Sequence, residues 1–112
     1  MIGQAEIGAL TPGSYLVNTA RGEITVGSAV VDALASGHLG GAGIDVLPEE
    51  PPNEEDPLIT AWRNPDHAAH DRLILNPHSA FYCEEGLLDI RRKASRNIRA
   101  VLSGEKPINV VS

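Results

Sequence analysis

The sequence predicts an α/β chain built on a short parallel sheet, and three observations predict it. Compact apolar runs, "SYLVN" at 14–18, "GAGIDV" at 41–46 and "LIL" at 73–75, are each closed by polar or proline-bearing segments, the pattern of buried strands with loops at their carboxyl ends. Between the first two runs the apolar residues follow a helical period, so strand, helix and strand succeed one another. Such an order makes the two strands parallel neighbours with a right-handed crossover. After the third run Leu87, Ile90, Ala94, Ile98 and Val101 recur at helical spacing, which predicts a long closing helix over about residues 84–103.

In chain order, Ile2, Ala5, Ala9 and Leu10 fall on one helical face, and Thr11-Pro12-Gly13 stops that first helix. The run from Ser14 to Asn18 is a buried strand, leaving "NTARGE" at its carboxyl end. Thr25 and Ser28 are candidate N-caps for a helix that turns Val30, Ala33 and Leu34 inward, with Gly37 suited to the position after its end. The second strand follows, with Asp45 near its close. The acidic, proline-rich "PEEPPNEEDP" at 48–57 is a loop, and "PLITAW" forms one helical turn inside a long, largely irregular connection. Trp62 would anchor that connection to the core. Pro77 ends the third strand by removing a donor and locking φ, so His78 begins a loop. Cys83, near the start of the last helix, suits a packed small residue or a helix cap.

With 112 residues and 42% hydrophobic content the chain can bury one modest core, so residues 1–112 are expected as a single domain. Nine Lys and Arg against fifteen Asp and Glu give a net charge of -6, which argues against nucleic-acid and anionic-membrane partners. A single cysteine permits no intrachain disulfide and points to a reducing, cytoplasmic setting. No basic stretch leads into an unbroken apolar run at the start and no eighteen apolar residues run together, so the chain is expected to be neither exported nor membrane-spanning. The basic run "RRKASRNIRA" reads as the solvent side of the closing helix. His67 and His70 have a spacing that suits a metal, but no third ligand is near, so no metal is expected.

A parallel sheet gathers its carboxyl ends on one edge, where open α/β sheets place their ligands. Three polar sets are thereby brought together: Asn18-Thr19-Ala20-Arg21, Asp45 through Glu50, and His78. An arginine, a carboxylate and a histidine on one edge can fix an anionic substrate, tune a base and move a proton. Each also has an ordinary reading, as a solvated loop arginine, a wet acidic loop and a loop histidine. Asp45 is more telling, because an acid inside an apolar strand needs a partner or a ligand.

"LVNTARG", "GAGIDVLPEEP" and "LILNPHSAF", in that order and at these separations, closely resemble the C-terminal half of the D-isomer-specific 2-hydroxyacid dehydrogenases. That family includes phosphoglycerate dehydrogenase and the C-terminal-binding-protein corepressors, and "HSAFYCEEG" is similar to the latter branch. The resemblance runs from Ile2 to Val111. It implies a partial Rossmann-type parallel sheet, the C-terminal half of an NAD-binding domain, with a long C-terminal helix. It also implies roles. Arg21 matches the arginine that holds the substrate carboxylate and carbonyl, and His78 the acid/base that exchanges the hydroxyl proton while hydride passes to or from NAD. Glu50 matches the carboxylate that pairs with this histidine, whereas Glu49 is off register and faces solvent. Asp45 matches the residue at the nicotinamide end, and Thr19, Ala20, Arg21, His78, Ser79 and Ala80 line the cofactor.

The family's G-x-G-x-x-G fingerprint does not occur, and "GHLGGAG" precedes a strand instead of opening a helix. The resemblance therefore implies the nicotinamide side of a divided site, a small 2-hydroxy or 2-keto acid substrate, and a homo-oligomer or a separately supplied N-terminal half. The alternative is a non-catalytic interaction module, or a truncated remnant, resembling the corepressor branch.

Overall fold

The computed structural model describes residues 1–111, which divide into two compact units, Met1–Ser79 and the residues from Ala80 onward. The first unit holds helix α1 (Gln4–Gly8), strand β1 (Ser14–Asn18), helix α2 (Gly27–Ala35), strand β2 (Leu39–Ile44), helix α3 (Pro57–Arg63) and strand β3 (Leu73–Leu75). The three strands form one parallel sheet in the order β1-β2-β3. Leu16 pairs with Ala42 and Ala42 with Leu73, so these residues share a sheet face. That face is the core: Leu16, Ala42, Ile44 and Leu73 are buried with Ile7, Val30, Leu34, Leu58 and Ala61 from the helices.

Several local expectations change. The buried residue of α1 is Ile7, whereas Ala5, Ala9 and Leu10 are exposed and Ile2 lies outside the helix, bridging to Thr25. A five-residue helix offers one inward position, and the chain's entry and exit select Ile7 for it. Neither Thr25 nor Ser28 caps α2, whose N-cap is Val26 without a side-chain hydrogen bond. The Thr25 hydroxyl instead accepts from the Asn18 amide. Gly37 does follow the helix end, with φ of 77°. Strand β2 begins and ends two residues earlier than its apolar run, which leaves Asp45 just beyond it. The connection to β3 is less irregular than its composition suggests, because α3 is seven residues long and opens on an Asp56 cap that accepts from Leu58 and Ile59 N–H. Trp62 is no core anchor; it is 42% exposed, on the rim of an apolar hollow.

The sheet departs from full burial in one respect. Tyr15, Val17 and Ile74 point to the face opposite the core and are 78%, 72% and 67% exposed. Within the first unit the helices thus cover one side of β1 and β3 only, although parallel sheets normally lie between two layers.

The second unit is dominated by helix α4 (Glu84–Leu102), close to its expected bounds. Its N-cap is the exposed Cys83, whose Sγ accepts from Gly86 N–H. After α4 the chain turns at Gly104, φ 70°, and the Asn97 side chain clasps the Ile108 backbone at both its N–H and C=O. Ile90, Ile98, Val101 and Leu102 are exposed. No helix among the described residues is long and apolar enough to cross a membrane.

Candidate active site

The site is assembled at the carboxyl ends of β1, β2 and β3. At the first, Asn18 is only 5% exposed and its amide organises the turn that follows. Its Oδ1 accepts from Ala20 N–H at 3.0 Å, and its Nδ2 donates to Arg21 C=O at 2.9 Å and to Thr25 Oγ1 at 3.2 Å. A buried amide with both ends satisfied fixes a backbone well. Thr19, Ala20 and Arg21 are exposed, and the Arg21 guanidinium donates to Ala20 C=O.

Gly22 brings this turn against the second strand end. A Cβ on Gly22 would lie 2.1 Å from the Leu47 carbonyl carbon, so glycine is the residue that permits the contact. Beyond β2, Asp45 is 4% exposed. Its N–H donates to Asn18 C=O, its own C=O accepts from His78 N–H, and its Oδ1 accepts from Ser79 N–H at 2.8 Å. One residue thus ties the three strand ends together.

Glu50 and His78 meet. His78 Nδ1 lies 2.7 Å from Glu50 Oε2, and Glu50 Oε1 accepts from Leu47 N–H at 2.9 Å. The hydrogen bond from His78, and after it that from Leu47, hold the Glu50 carboxyl below its ordinary range. Glu49 is exposed, as its register predicts. A cleft of about 250 Å³ is lined by Arg21, Gly22, Glu23, Val46, Leu47, Pro48, Glu50 and His78. A larger, mostly apolar hollow of about 410 Å³ shares Leu47, Glu50 and His78 and extends to Trp62 and Leu75. Arg21, Glu50 and His78 are therefore gathered on one cleft, with Asp45 and Ser79 beneath the histidine turn. Ala80 begins the second unit and is exposed.

Two contributors escape a reading by motif. Asn18 is visible only as part of a polar string, although an asparagine directly after an apolar run is a known turn-former. Gly22 has no signal in sequence, since its requirement arises from a backbone distant in the chain.

Residues 1–80 match the family description "D-isomer specific 2-hydroxyacid dehydrogenase, NAD binding domain". Among curated relatives, a glyoxylate reductase from Aeropyrum pernix is 36% identical over 112 residues, covering 100% of this chain and 31% of the relative. A D-3-phosphoglycerate dehydrogenase from Escherichia coli K12 is 42% identical over 78 residues, 70% of this chain and 18% of the relative. Among solved structures, a D-isomer specific 2-hydroxyacid dehydrogenase from Xanthobacter autotrophicus Py2, in complex with NADPH and MES, superposes with a TM-score of 0.73 at 28% identity, covering 99% of this chain and 41% of that one. D-lactate dehydrogenase with NAD+ from Lactobacillus jensenii gives 0.65 at 29% identity, covering 100% and 35%. The chain thus spans well under half the length of these relatives.

Proposed function

Because the chain belongs to the D-isomer specific 2-hydroxyacid dehydrogenase family, we propose that it supplies the acid/base, the substrate-binding arginine and the nicotinamide side of an NAD-dependent oxidoreductase acting on the CH–OH group of a 2-hydroxy acid. The observation that carries this reading is the His78–Glu50 pair on a cleft that also presents Arg21. A lone loop histidine has many uses, but one whose Nδ1 is held by a carboxylate has a set ring orientation, with Nε2 on the side away from that carboxylate.

The fit to the cofactor is partial. Asp45, a nearly inaccessible carboxylate at the strand ends, and the exposed Thr19, Ala20 and Ser79 beside it offer polar and backbone groups where a nicotinamide would lie. The sequence provides no G-x-G-x-x-G turn for a pyrophosphate. Residues Thr19, Ala20, Arg21, Asp45, His78 and Ser79, all of the first unit, would hold the nicotinamide end. NAD, when bound, takes up or returns the hydride. Arg21 would bind the substrate carboxylate and the oxygen on C2 through its planar, permanently charged fork. As the C2–H bond breaks, the hydroxyl proton passes to His78 Nε2, since Nδ1 faces Glu50; reduction of a 2-keto acid runs the same transfer backward. Glu50 stabilises the positive charge that His78 then carries.

Two-dimensional NMR of the chain during NADH titration tests this. Perturbations centred on residues 18–21, 45 and 78–79 are expected, with a dissociation constant far weaker than micromolar because each lost 1.4 kcal/mol of pyrophosphate or ribose contact is roughly tenfold in affinity. NADH at several millimolar that moves none of these resonances overturns the reading.

A further inference from the structure

His78 has φ of 52°, in the left-handed region that a side chain with a Cβ rarely adopts. Its predecessor Pro77 has no N–H, so the backbone bonds that hold this turn must come from His78 onward. The partners that meet it there belong to Asp45. His78 N–H donates to Asp45 C=O at 2.9 Å, and the next amide, Ser79 N–H, donates to Asp45 Oδ1 at 2.8 Å. The carboxylate that accepts this bond is 4% exposed, and a nearly buried charge is retained where donors are aimed at it. The Asp45 N–H in turn donates to Asn18 C=O, the residue that brackets the Arg21 turn.

We propose that Asp45 is a positioning residue that pins the His78 turn in its left-handed conformation, so that the imidazole Nδ1 is delivered to Glu50. The role deepens the preceding reading and depends on it only in calling His78 the acid/base. It is separate from any contact Asp45 makes with nicotinamide, because the bonds that carry it are within the chain. Without the carboxylate the turn loses the acceptor for Ser79 N–H, His78 relaxes toward negative φ, and its ring swings off Glu50.

The test needs neither cofactor nor substrate. Asp45→Ala and Asp45→Asn are compared with wild type by nitrogen-15 NMR of the His78 ring and by carbon-13 titration of the Glu50 carboxyl. In wild type a slowly exchanging Nδ1–H signal and a lowered Glu50 midpoint are expected. Asp45→Ala should lose the Nδ1–H signal and move the Glu50 midpoint up toward an ordinary glutamate. Asp45→Asn, which keeps a carbonyl acceptor, should retain both. A merely structural role would lower the urea midpoint of Asp45→Ala without moving either signature. That outcome overturns the proposal, as does an Asp45→Asn variant that behaves like the alanine. Should Asp45→Ala not fold, the wild-type Ser79 amide decides: exchange as slow as the β2 amides upholds the pin, and exchange at open-loop rates overturns it. Failure of NADH to bind would overturn the functional reading and leave these signatures untouched.

Discussion

At the scale of single residues, Glu50 is the group whose ionisation the fold most visibly uses. His78 first, and Leu47 N–H second, favour its charged form and hold its carboxyl below the ordinary value of 4.5. A carboxyl whose folded value is depressed adds stability that is fully present above the unfolded value and is lost as pH falls through the folded one. The window therefore lies below about pH 4.5. Urea unfolding of wild type and Glu50→Gln at pH 7 and at pH 3 should show wild type the more stable at pH 7 and the difference shrinking at pH 3. A gap that is equal at both pH values would mean that the pair contributes nothing through ionisation. Arg21 illustrates the opposite case. Its guanidinium is exposed and, among the described residues, donates to its neighbour's carbonyl, so its removal should leave stability almost unchanged while any anion binding disappears.

At the scale of elements, the carboxyl ends work because unrelated segments approach closely, and Gly22 is the tightest such approach. A methyl group there would overlap the Leu47 and Pro48 backbone at 2.1–2.3 Å. Backbone cannot step aside as a flexible side chain can, so Gly22→Ala should cost about 3 kcal/mol, the upper end for overpacking. Gly8→Ala, where an added Cβ meets nothing within 4 Å, is the control. Equal urea midpoints for the two variants would count against the close approach. This contrast also explains what sequence could reveal. Strands β1 and β3 were legible to the residue because short apolar runs met the hard stops "NTARG" and "NP". Strand β2 slipped by two residues because its glycines blur the boundary and Asp45 sits in an apolar frame without belonging to the ladder. The α2 cap was misplaced because Thr25 serves the Asn18 amide instead. The gathering of the three polar strand ends could be anticipated from parallel topology, whereas the pairing of Glu50 with His78 was implied by the family resemblance. The left-handed turn at His78 and the bracket made by Asn18 could not, since both are set by partners far along the chain.

At the scale of the whole molecule, the decisive feature is the sheet of the first unit, whose own helices cover one face only. Leu16, Ala42, Ile44 and Leu73 look into the helices, while Tyr15, Val17 and Ile74 look out beside Gly41 and Gly43; the Tyr15 ring lies across Gly41, and Val17 borders Gly43. Glycines opposite exposed apolar residues leave a shallow, low-relief surface. Water against such a patch is unfavourable by roughly 25 cal/mol for every Å² of apolar area, and the outer edges of β1 and β3 add unpaired backbone groups that invite another strand or layer. The expected outcome is self-association in solution, driven by the face rather than by charge. Val17→Lys tests this with little risk to the fold, because a side chain 72% exposed in the single chain can carry an ammonium into water at almost no cost. Light scattering of wild type should give a mass that climbs above 11.9 kDa as concentration rises and is insensitive to salt. Val17→Lys should stay near that mass with an unchanged urea midpoint at low concentration. A wild type that remains a monomer at high concentration would show that Tyr15 and the flanking glycines shield the face well enough on their own. Association persisting undiminished in Val17→Lys would move the contact to another surface.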